Sequence, residues 1–206
     1  MNHFDLFEIK FGLECIQIKQ ENPYRLDYIE GSTCDDIEQI CIIHDPDGGY
    51  FSFFRDTHLV NKFDFFGNAR EFFESDKIAK SIIPTIELRR ELWYFFPLAP
   101  KTDFSLVTEI GDTPDTFDTF AILENGEWVA RAWSVRRNEK SSEIAVETKE
   151  THRRKGYGSQ VVSAWAKSQI SKGKIGIYGH RKYNLESKYL AEKVGAVLFA
   201  DVLSLQ

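Results

Sequence analysis

The fold is decided by six residues at positions 153–158, Arg153-Arg154-Lys155-Gly156-Tyr157-Gly158. The alternating stretch 142–148 before them predicts a strand, and the segment 159–172 after them has the apolar spacing of a helix. The chain therefore passes from a strand through a glycine-rich, cationic loop into a helix. Backbone N–H groups at a helix start, together with the positive end of the helix dipole, favour a bound phosphate. The stretch predicts a phosphate-binding loop.

Two better-known phosphate loops do not fit this sequence. The nucleotide-triphosphate loop ends in Gly-Lys-Ser/Thr, whereas Gly158 is followed by Ser159 and Gln160. The dinucleotide-binding loop needs a third glycine or alanine, and Val161 occupies that position. The sequence therefore predicts neither class of nucleotide-binding protein.

The spacing Arg-x-x-Gly-x-Gly instead resembles the acetyl-CoA pyrophosphate loop of the GNAT superfamily (GCN5-related N-acetyltransferases). A second signature of that family is Asn-x-x-Ala/Ser ahead of a helix that ends in Lys-Leu-Gly-Phe, and residues 184–196 are similar to it. The two signatures stand in the family's order, about 30 residues apart. The resemblance covers roughly residues 105–206, and residues 1–100 show no family resemblance.

The apolar patterns predict a mixed α/β chain. In the N-terminal region they predict strands at 11–18, 39–43 and 50–54 and helices at 68–76 and 85–95. The strands 39–43 and 50–54 are predicted to form a hairpin. Further strands are predicted at 104–107, 117–123, 128–135, 143–148, 174–179 and 196–205, with helices at 159–172 and 186–194. From residue 117 the order βββαβαβ is that of the GNAT core.

These patterns imply an α/β (α+β mixed sheet) protein with a GNAT-like acyl-CoA N-acyltransferase fold and an N-terminal α+β extension. The proline-containing stretch 96–102 is the best boundary, which gives an extension at 1–100 and a GNAT-like domain at 101–206. The extension would be a lid, a second domain or the surface of a homodimer.

The composition, with 42% hydrophobic and 28% charged residues, is that of an ordinary soluble protein. No apolar run approaches the roughly 20 residues that span a membrane, and the N-terminus lacks a signal-peptide pattern. Cys15, Cys34 and Cys41 form no Cys-x-x-Cys pair, which predicts reduced thiols in a cytoplasmic protein. Asp45-x-Asp47 lacks the glycine and glutamate of a calcium loop, so it predicts a turn and no metal site.

The net charge of −6 is unevenly distributed along the chain. Residues 131–193 hold 15 basic and 6 acidic side chains, whereas residues 1–130 hold 11 and 25. Coenzyme A carries about four negative charges on its phosphates, so a basic segment around both signatures is expected. The acidic part would attract a cationic amine, although charged side chains usually lie on solvated surfaces.

The resemblance implies a set of residues that bind acetyl-CoA. The loop and the first helical turn would hold the pyrophosphate through Arg153, Arg154, Lys155, Gly156, Tyr157, Gly158 and Ser159. In the family the preceding strand pairs with the pantetheine arm, here through Val146 and Thr148, and a backbone N–H there polarises the thioester.

Further cofactor contacts are expected after the next strand. Asn184 and Ser187 match the second signature, where the family's asparagine bonds the pantetheine; Asn184 would equally suit a helix N-cap. Gly176 and Gly179 would permit the backbone of a ligand to approach that strand closely.

Two glutamates are candidates for the base that removes the amine proton. Glu147 and Glu143 lie on the same strand as Val146 and should face away from its apolar side. An exposed strand glutamate without a catalytic role is the alternative for each.

The residue that protonates the leaving sulfur is harder to place. Many relatives have a tyrosine where Ala191 stands, and Tyr189 lies about 200° away around the helix. The remaining candidates are Tyr178, His180 and Tyr183, at the end of the preceding strand, and His180 is also a candidate base.

The resemblance therefore implies an N-acetyltransferase that moves an acetyl group from acetyl-CoA to a primary amine, expected to be a small molecule. Direct attack in a ternary complex is expected, because neither signature contains a cysteine. Two alternatives are a protein or peptide N-acetyltransferase and a non-catalytic acyl-CoA-binding regulatory module. Nucleic-acid binding through the basic segment is disfavoured by the net acidity.

Overall fold

A computed structural model of the chain describes residues 2–13, 16–19, 24–28, 40–54, 69–77, 80 and 87–205. These residues fall into two compact units. Unit N takes its residues from 1–93, 181–183 and 198–206, and unit C takes them from 94–180 and 184–197. Both units contain helices and strands, so the predicted mixed α/β class is confirmed. The domain division at residue 100 stays a prediction.

The helices and strands are numbered here along the chain. The N-terminal elements are α1 (His3–Leu13), β1 (Ile16–Lys19), β2 (Tyr24–Tyr28), β3 (Ile40–His44), β4 (Tyr50–Phe54), α2 (Ala69–Glu74) and β5 (Leu88–Phe95). They are followed by β6 (Thr108–Gly111), β7 (Phe117–Glu124), β8 (Glu127–Arg137), β9 (Ser141–Thr148), α3 (Tyr157–Ser171), β10 (Ile175–Arg181), α4 (Leu185–Lys193) and β11 (Val197–Leu205). Among the described residues, none of the helices has the length and apolar character needed to cross a membrane.

The sheet of unit C has the strand order β10-β9-β8-β7-β6. Strands β6 to β9 form an antiparallel meander. At the β7–β8 turn, φ is +53° at Asn125 and +81° at Gly126. Positive φ at both central residues is the geometry that an Asn-Gly sequence favours in a two-residue hairpin.

The parallel pair β9–β10 is joined for only part of its length. The register runs from Ile175↔Ser141 to Ile177↔Glu143, although β9 continues to Thr148. One backbone edge of residues 144–148 is therefore left without a partner in β10. We call the space along this edge the wedge, with its apex at Glu143 and Ile177 and its wide end at Thr148.

Helix α3 packs on the sheet of unit C through an apolar face. Its side chains Val161, Val162, Trp165 and Ala166 are fully buried. A Cβ on Gly176 would lie 3.0 Å from the Trp165 ring and 3.1 Å from Phe96. The expectation that a ligand approaches Gly176 is therefore wrong, because core side chains already fill the space beside this glycine.

A buried polar chain anchors α3 to strands β7 and β8. Trp165 Nε1 donates to Ser134 Oγ at 3.0 Å, and Ser134 Oγ donates to Asp118 Oδ2 at 2.9 Å. Lys172 Nζ donates to Asp118 Oδ1 at 2.8 Å. Burial by itself would raise the pKa of Asp118, but the hydrogen bonds from Lys172 and Ser134 hold it below its usual range.

Replacing Asp118 with alanine should destabilise the protein by about 2–3 kcal/mol, because the Ser134 hydroxyl loses its buried acceptor and Lys172 loses its counter-ion. Urea unfolding followed by circular dichroism measures the loss. Glu127→Ala removes an exposed ion pair with Lys149 and should lower the stability much less than Asp118→Ala does.

Wild type and Asp118→Ala can also be compared as a function of pH. Because the pKa of folded Asp118 is lowered, its contribution is fully present above the unfolded value of about 3.9 and is lost as the pH falls through the folded value. The stability difference between wild type and Asp118→Ala should therefore be constant at neutral pH and shrink below about pH 4. A difference that grows on acidification would contradict this account.

Unit N has the strand order β1-β2-β4-β3-β11-β5. The predicted hairpin is present as β3 and β4, and Asp45 accepts a hydrogen bond from the Asp47 N–H in its turn. An aromatic core joins α1 to this sheet through Phe7, Phe11, Phe53, Trp93 and Phe199. The last strand β11 pairs antiparallel with β3, with Asp201 opposite His44.

Three secondary-structure predictions are wrong. The predicted helix 85–95 is strand β5 over its described part, because it pairs with β11, a partner about 100 residues away. The predicted strand 11–18 contains the end of α1, whose buried residues Phe7, Lys10 and Phe11 have helical spacing. The predicted strand 104–107 is a turn, and β6 begins at Thr108. Cys15 and Cys34 lie outside the described residues.

Candidate functional site

A cleft of about 610 Å³ opens in unit C beside the wide end of the wedge. Its wall is formed by the end of β9, the loop 149–156, the first turn of α3 and one face of α4. This volume is in the range of small-molecule sites. Most of the predicted cofactor residues line it: Val146, Thr148, Arg153, Arg154, Gly156, Tyr157, Gly158, Ser159, Asn184 and Ser187.

The start of α3 is built to present backbone N–H groups to the cleft. Gly156 is the N-cap with φ +81°, and no side chain caps this end of the helix. Arg154 also has a positive φ, +61°. The first N–H groups of a helix have no partner within it, so those of Tyr157, Gly158 and Ser159 are available to an anion.

The cations of the loop have different surroundings. Arg153 Nε donates to the Thr148 carbonyl at 3.4 Å, and its Nη1 lies 3.9 Å from a Glu186 carboxylate oxygen. Lys155 does not line the cleft; its Nζ lies 5.9 Å from the centre of the Tyr157 ring. The cationic side chains that line the cleft are therefore Arg153 and Arg154 from the loop, together with Lys149 and Lys193, and the helix start adds the positive end of its dipole.

Gly158 lies beside two neighbouring side chains in the cleft wall. A Cβ at this position would lie 3.4 Å from Thr148 Oγ1 and 3.6 Å from Leu190. These are ordinary van der Waals distances, so a Cβ at position 158 would not clash with either neighbour.

A cluster of side chains that was not predicted from the sequence joins the end of β7 to the loop and the first turn of α3. Glu124 accepts from the Tyr157 hydroxyl at 3.2 Å and lies 3.1 Å from His152 Nε2. The hydrogen bond with His152 lowers the pKa of Glu124, and the hydrogen bond to Glu124 raises the pKa of Tyr157. His152 and Tyr157 both line the cleft, so Glu124, at the end of β7, positions two of the side chains that line it.

Asn184 and Ser187 lie at the start of α4. Asn184 is the N-cap, and its Oδ1 accepts from the Ser187 N–H at 3.0 Å. Asn184 therefore has the capping role, and it lies in the cleft wall as well.

The two candidate bases occupy opposite ends of the wedge. Glu147 lines the cleft, is half exposed, and pairs with Arg131 at 2.9 Å. Glu143 does not line the cleft; it is 7% exposed and pairs with Arg136 at 2.8 Å. Both carboxylates have an arginine partner, so the ion pairs do not distinguish the two candidate bases. Their positions along the wedge do distinguish them.

Tyr178 and His180 are buried on β10 and do not line the cleft. The Tyr178 hydroxyl lies 2.7 Å from Ser187 Oγ, and burial raises the pKa of Tyr178. The His180 ring stacks on Tyr94 with 5.5 Å between ring centres. Ala191 is fully buried, so the position at which many relatives have a tyrosine carries no hydroxyl in this chain. Tyr189 on the same helix is exposed.

One family model matches part of this chain. Residues 117–198 match the family model described as GNAT acetyltransferase. The match contains both signatures and leaves the N-terminal region uncovered. The family resemblance predicted from the two signatures is confirmed. No curated protein matches the chain.

Two solved structures share the fold at low sequence identity. A GNAT-family acetyltransferase from Colwellia psychrerythraea has 8% identity and a TM-score of 0.51, and the match covers 100% of this chain and 97% of that one. A functionally unknown conserved protein from Staphylococcus epidermidis has 11% identity and a TM-score of 0.51, with 86% and 94% covered. A GCN5-related N-acetyltransferase-like protein from Streptococcus suis has 15% identity and a TM-score of 0.46, with 85% and 90% covered. The predicted GNAT-type fold is confirmed.

Proposed function

We propose that the chain is an N-acetyltransferase that transfers an acetyl group from acetyl-CoA to the primary amine of a small molecule. The observation that carries the proposal is the uncapped start of α3 at Gly156, which opens into the same cleft as the free edge of β9. An anion site and an unpaired strand edge, side by side, suit a ligand with a pyrophosphate followed by a chain of amides.

The two features assign an orientation to acetyl-CoA. Its pyrophosphate would accept hydrogen bonds from the N–H groups of Gly158 and Ser159 at the wide end of the wedge. Its pantetheine arm would then run along the open edge of residues 144–148 like an added strand. Five residues of strand span about 16 Å, so the acetyl end would lie near the apex at Glu143.

This orientation separates the two candidate bases. Glu143 and Glu147 are four residues apart, or about 13 Å along the strand, so one amine cannot be within hydrogen-bond reach of both. We assign the base to Glu143, because it lies at the apex, and we assign to Glu147 a place beside the cofactor arm.

The reaction then follows from these positions. The neutral amine nitrogen attacks the thioester carbon, the C–N bond forms, and a backbone N–H on the free edge of β9 stabilises the oxyanion. Glu143 accepts the proton that the amine loses. When the oxyanion collapses, the C–S bond breaks and its electron pair goes to sulfur. No cysteine occurs after Cys41, so the acyl group passes directly to the amine.

The test is an amine screen with acetyl-CoA, in which thiol release is measured and each product is identified by mass spectrometry. We expect acetylation of one class of small primary amines. Acetylation confined to peptide or protein amines would mean that the acceptor is a peptide or protein and not a small molecule. Binding of acetyl-CoA without transfer to either class would favour a non-catalytic acyl-CoA-binding module.

A further inference from the structure

The side chain of Glu143 lies on the face of the sheet opposite α3, which we call the outer face. Ser142 Oγ donates to Gln169 Oε1 on α3 at 2.9 Å, so Ser142 faces the helix. Successive side chains of a strand point to opposite faces, so Glu143 points away from α3. Because Glu143 is the proposed base, an acceptor amine must approach it from the outer face.

The outer face presents Glu143 as one half of an ion pair with Arg136. Arg136 lies opposite Glu143 in the register of β8 and β9, and its Nη1 donates to Glu143 Oε2 at 2.8 Å. The glutamate side chain is 10% exposed, whereas the arginine side chain is 49% exposed. The arginine is therefore the outer member of the pair, and a molecule that approaches Glu143 from this face meets the guanidinium first.

An acceptor that has only an amine fits this ion pair poorly. Its nitrogen would have to replace an arginine N–H at the Glu143 carboxylate, and the guanidinium would lose that contact. Breaking a mostly buried ion pair from one side is strongly unfavourable. An acceptor that brings its own carboxylate avoids this loss, because it gives Arg136 a new anionic partner.

We propose that the acceptor is an α-amino acid, whose carboxylate is bound by Arg136 and whose amino group donates to Glu143. The inference rests on the proposed function. The amino and carboxylate groups of an α-amino acid are attached to the same carbon, so they suit two side chains that contact each other. The planar guanidinium matches the geometry of a carboxylate. Arg136 is therefore a specificity-determining residue for the acceptor.

The outer face also offers an apolar surface to the side chain of the amino acid. Ala145 is two residues from Glu143 on the same strand and therefore on the same face. Trp133 lies opposite Ala145 in the register, and both residues are half-buried. Diagonal neighbours on one face of a sheet are about 7–8 Å apart, within the reach of a long side chain. Amino acids with an apolar or aromatic side chain should therefore be the best acceptors.

Steady-state transfer from acetyl-CoA tests the inference. The common L-amino acids are screened, and each one that reacts is compared with its amide and its decarboxylated amine. L-Phenylalanine, L-phenylalaninamide and 2-phenylethylamine are one such set, in which the carboxylate alone is masked or removed. We expect kcat/KM to be at least about 100-fold higher for the amino acid than for either analogue.

Arg136→Gln should remove this preference. It should lower kcat/KM for the amino acid by about 100-fold, chiefly through KM, because the carboxylate loses its partner. It should not lower kcat/KM for the amide or the amine, which have no carboxylate to lose. Arg136→Lys keeps the charge without the planar fork and should retain part of the preference.

Arg131→Gln is the matched control. It removes another arginine of β8 that pairs with a glutamate of β9, since Arg131 contacts Glu147 at 2.9 Å. Glu147 is four residues, or about 13 Å, from Glu143 along the strand. Arg131→Gln should leave the ratio of kcat/KM for the amino acid and its amide within about twofold of wild type, and circular dichroism checks that each variant is folded.

The outcomes distinguish this inference from the proposed function. If folded wild type acetylates no amine of any kind, the proposed function fails. If it acetylates amines but shows no preference for the amino acid over its amide and its amine, the acceptor class is wrong and the proposed function stands. A preference for the amide would point to the N-terminus of a peptide and would also overturn the inference. If the preference survives in Arg136→Gln, or is lost equally in Arg131→Gln, the role of Arg136 is wrong.

Discussion

Gly158→Glu should weaken acetyl-CoA binding by more than about 100-fold, as measured by calorimetric titration. The new carboxylate would lie in the cleft at the N–H groups that are proposed to hold the pyrophosphate. The backbone at 158 is helical, and a Cβ there makes only ordinary contacts with Thr148 and Leu190, so the variant should fold. For this reason position 158 gives a cleaner test than Gly156, whose φ of +81° strains any larger residue.

Gly158→Gln is the matched control, because it adds the same bulk without charge. It should lose about tenfold in affinity, and Gly158→Ala should lose less, so the Glu–Gln difference isolates the charge. That difference should shrink at high salt. Equal binding by the Glu and Gln variants would mean that no anion lies beside Gly158.

Glu143→Gln should lower kcat by about 100-fold or more while the affinity for acetyl-CoA stays within about twofold, because the base is lost and the cofactor site is untouched. Glutamine is nearly isosteric and still accepts a hydrogen bond from Arg136. Rapid-mixing measurements of thiol release, with circular dichroism to check folding, give both quantities.

Glu147→Gln is the control for the position of the base. It removes the same charge from the same strand, about 13 Å away, and should change kcat by less than about threefold. The reverse order of the two effects would place the acetyl end at the wide end of the wedge and overturn the orientation of the cofactor.

The elements around the cleft were predictable because their signals are local. The spacing of glycines and cations indicates the loop 153–158, and the sequence Asn125-Gly126 favours a hairpin because both residues adopt a positive φ. Helices α3 and α4 follow from apolar spacing and from their caps. Each of these signals lies within about 15 residues of the element that it predicts.

The remaining features depend on partners that are distant in sequence. Strand β5 resembles a helix because Arg89, Arg90 and Glu91 suit either structure, and only pairing with β11 decides between them. The Glu124 cluster and the Tyr178–Ser187 pair each need the fold to bring two segments together. Gly176 is ambiguous for a related reason, because a glycine admits a ligand or a neighbouring Trp165 equally well. The cytoplasmic location and the homodimer stay predictions.

The central claim is that the cleft of unit C binds acetyl-CoA through the start of α3. Its most direct test is a calorimetric titration of the full chain with acetyl-CoA, compared with ATP and NAD at the same ionic strength. We predict one site per chain with a dissociation constant of about micromolar for acetyl-CoA, and binding at least about tenfold weaker for ATP and NAD. Folded protein that gives no binding heat with acetyl-CoA and does not protect the thiol of free coenzyme A from alkylation, or that binds ATP equally well, would contradict the account.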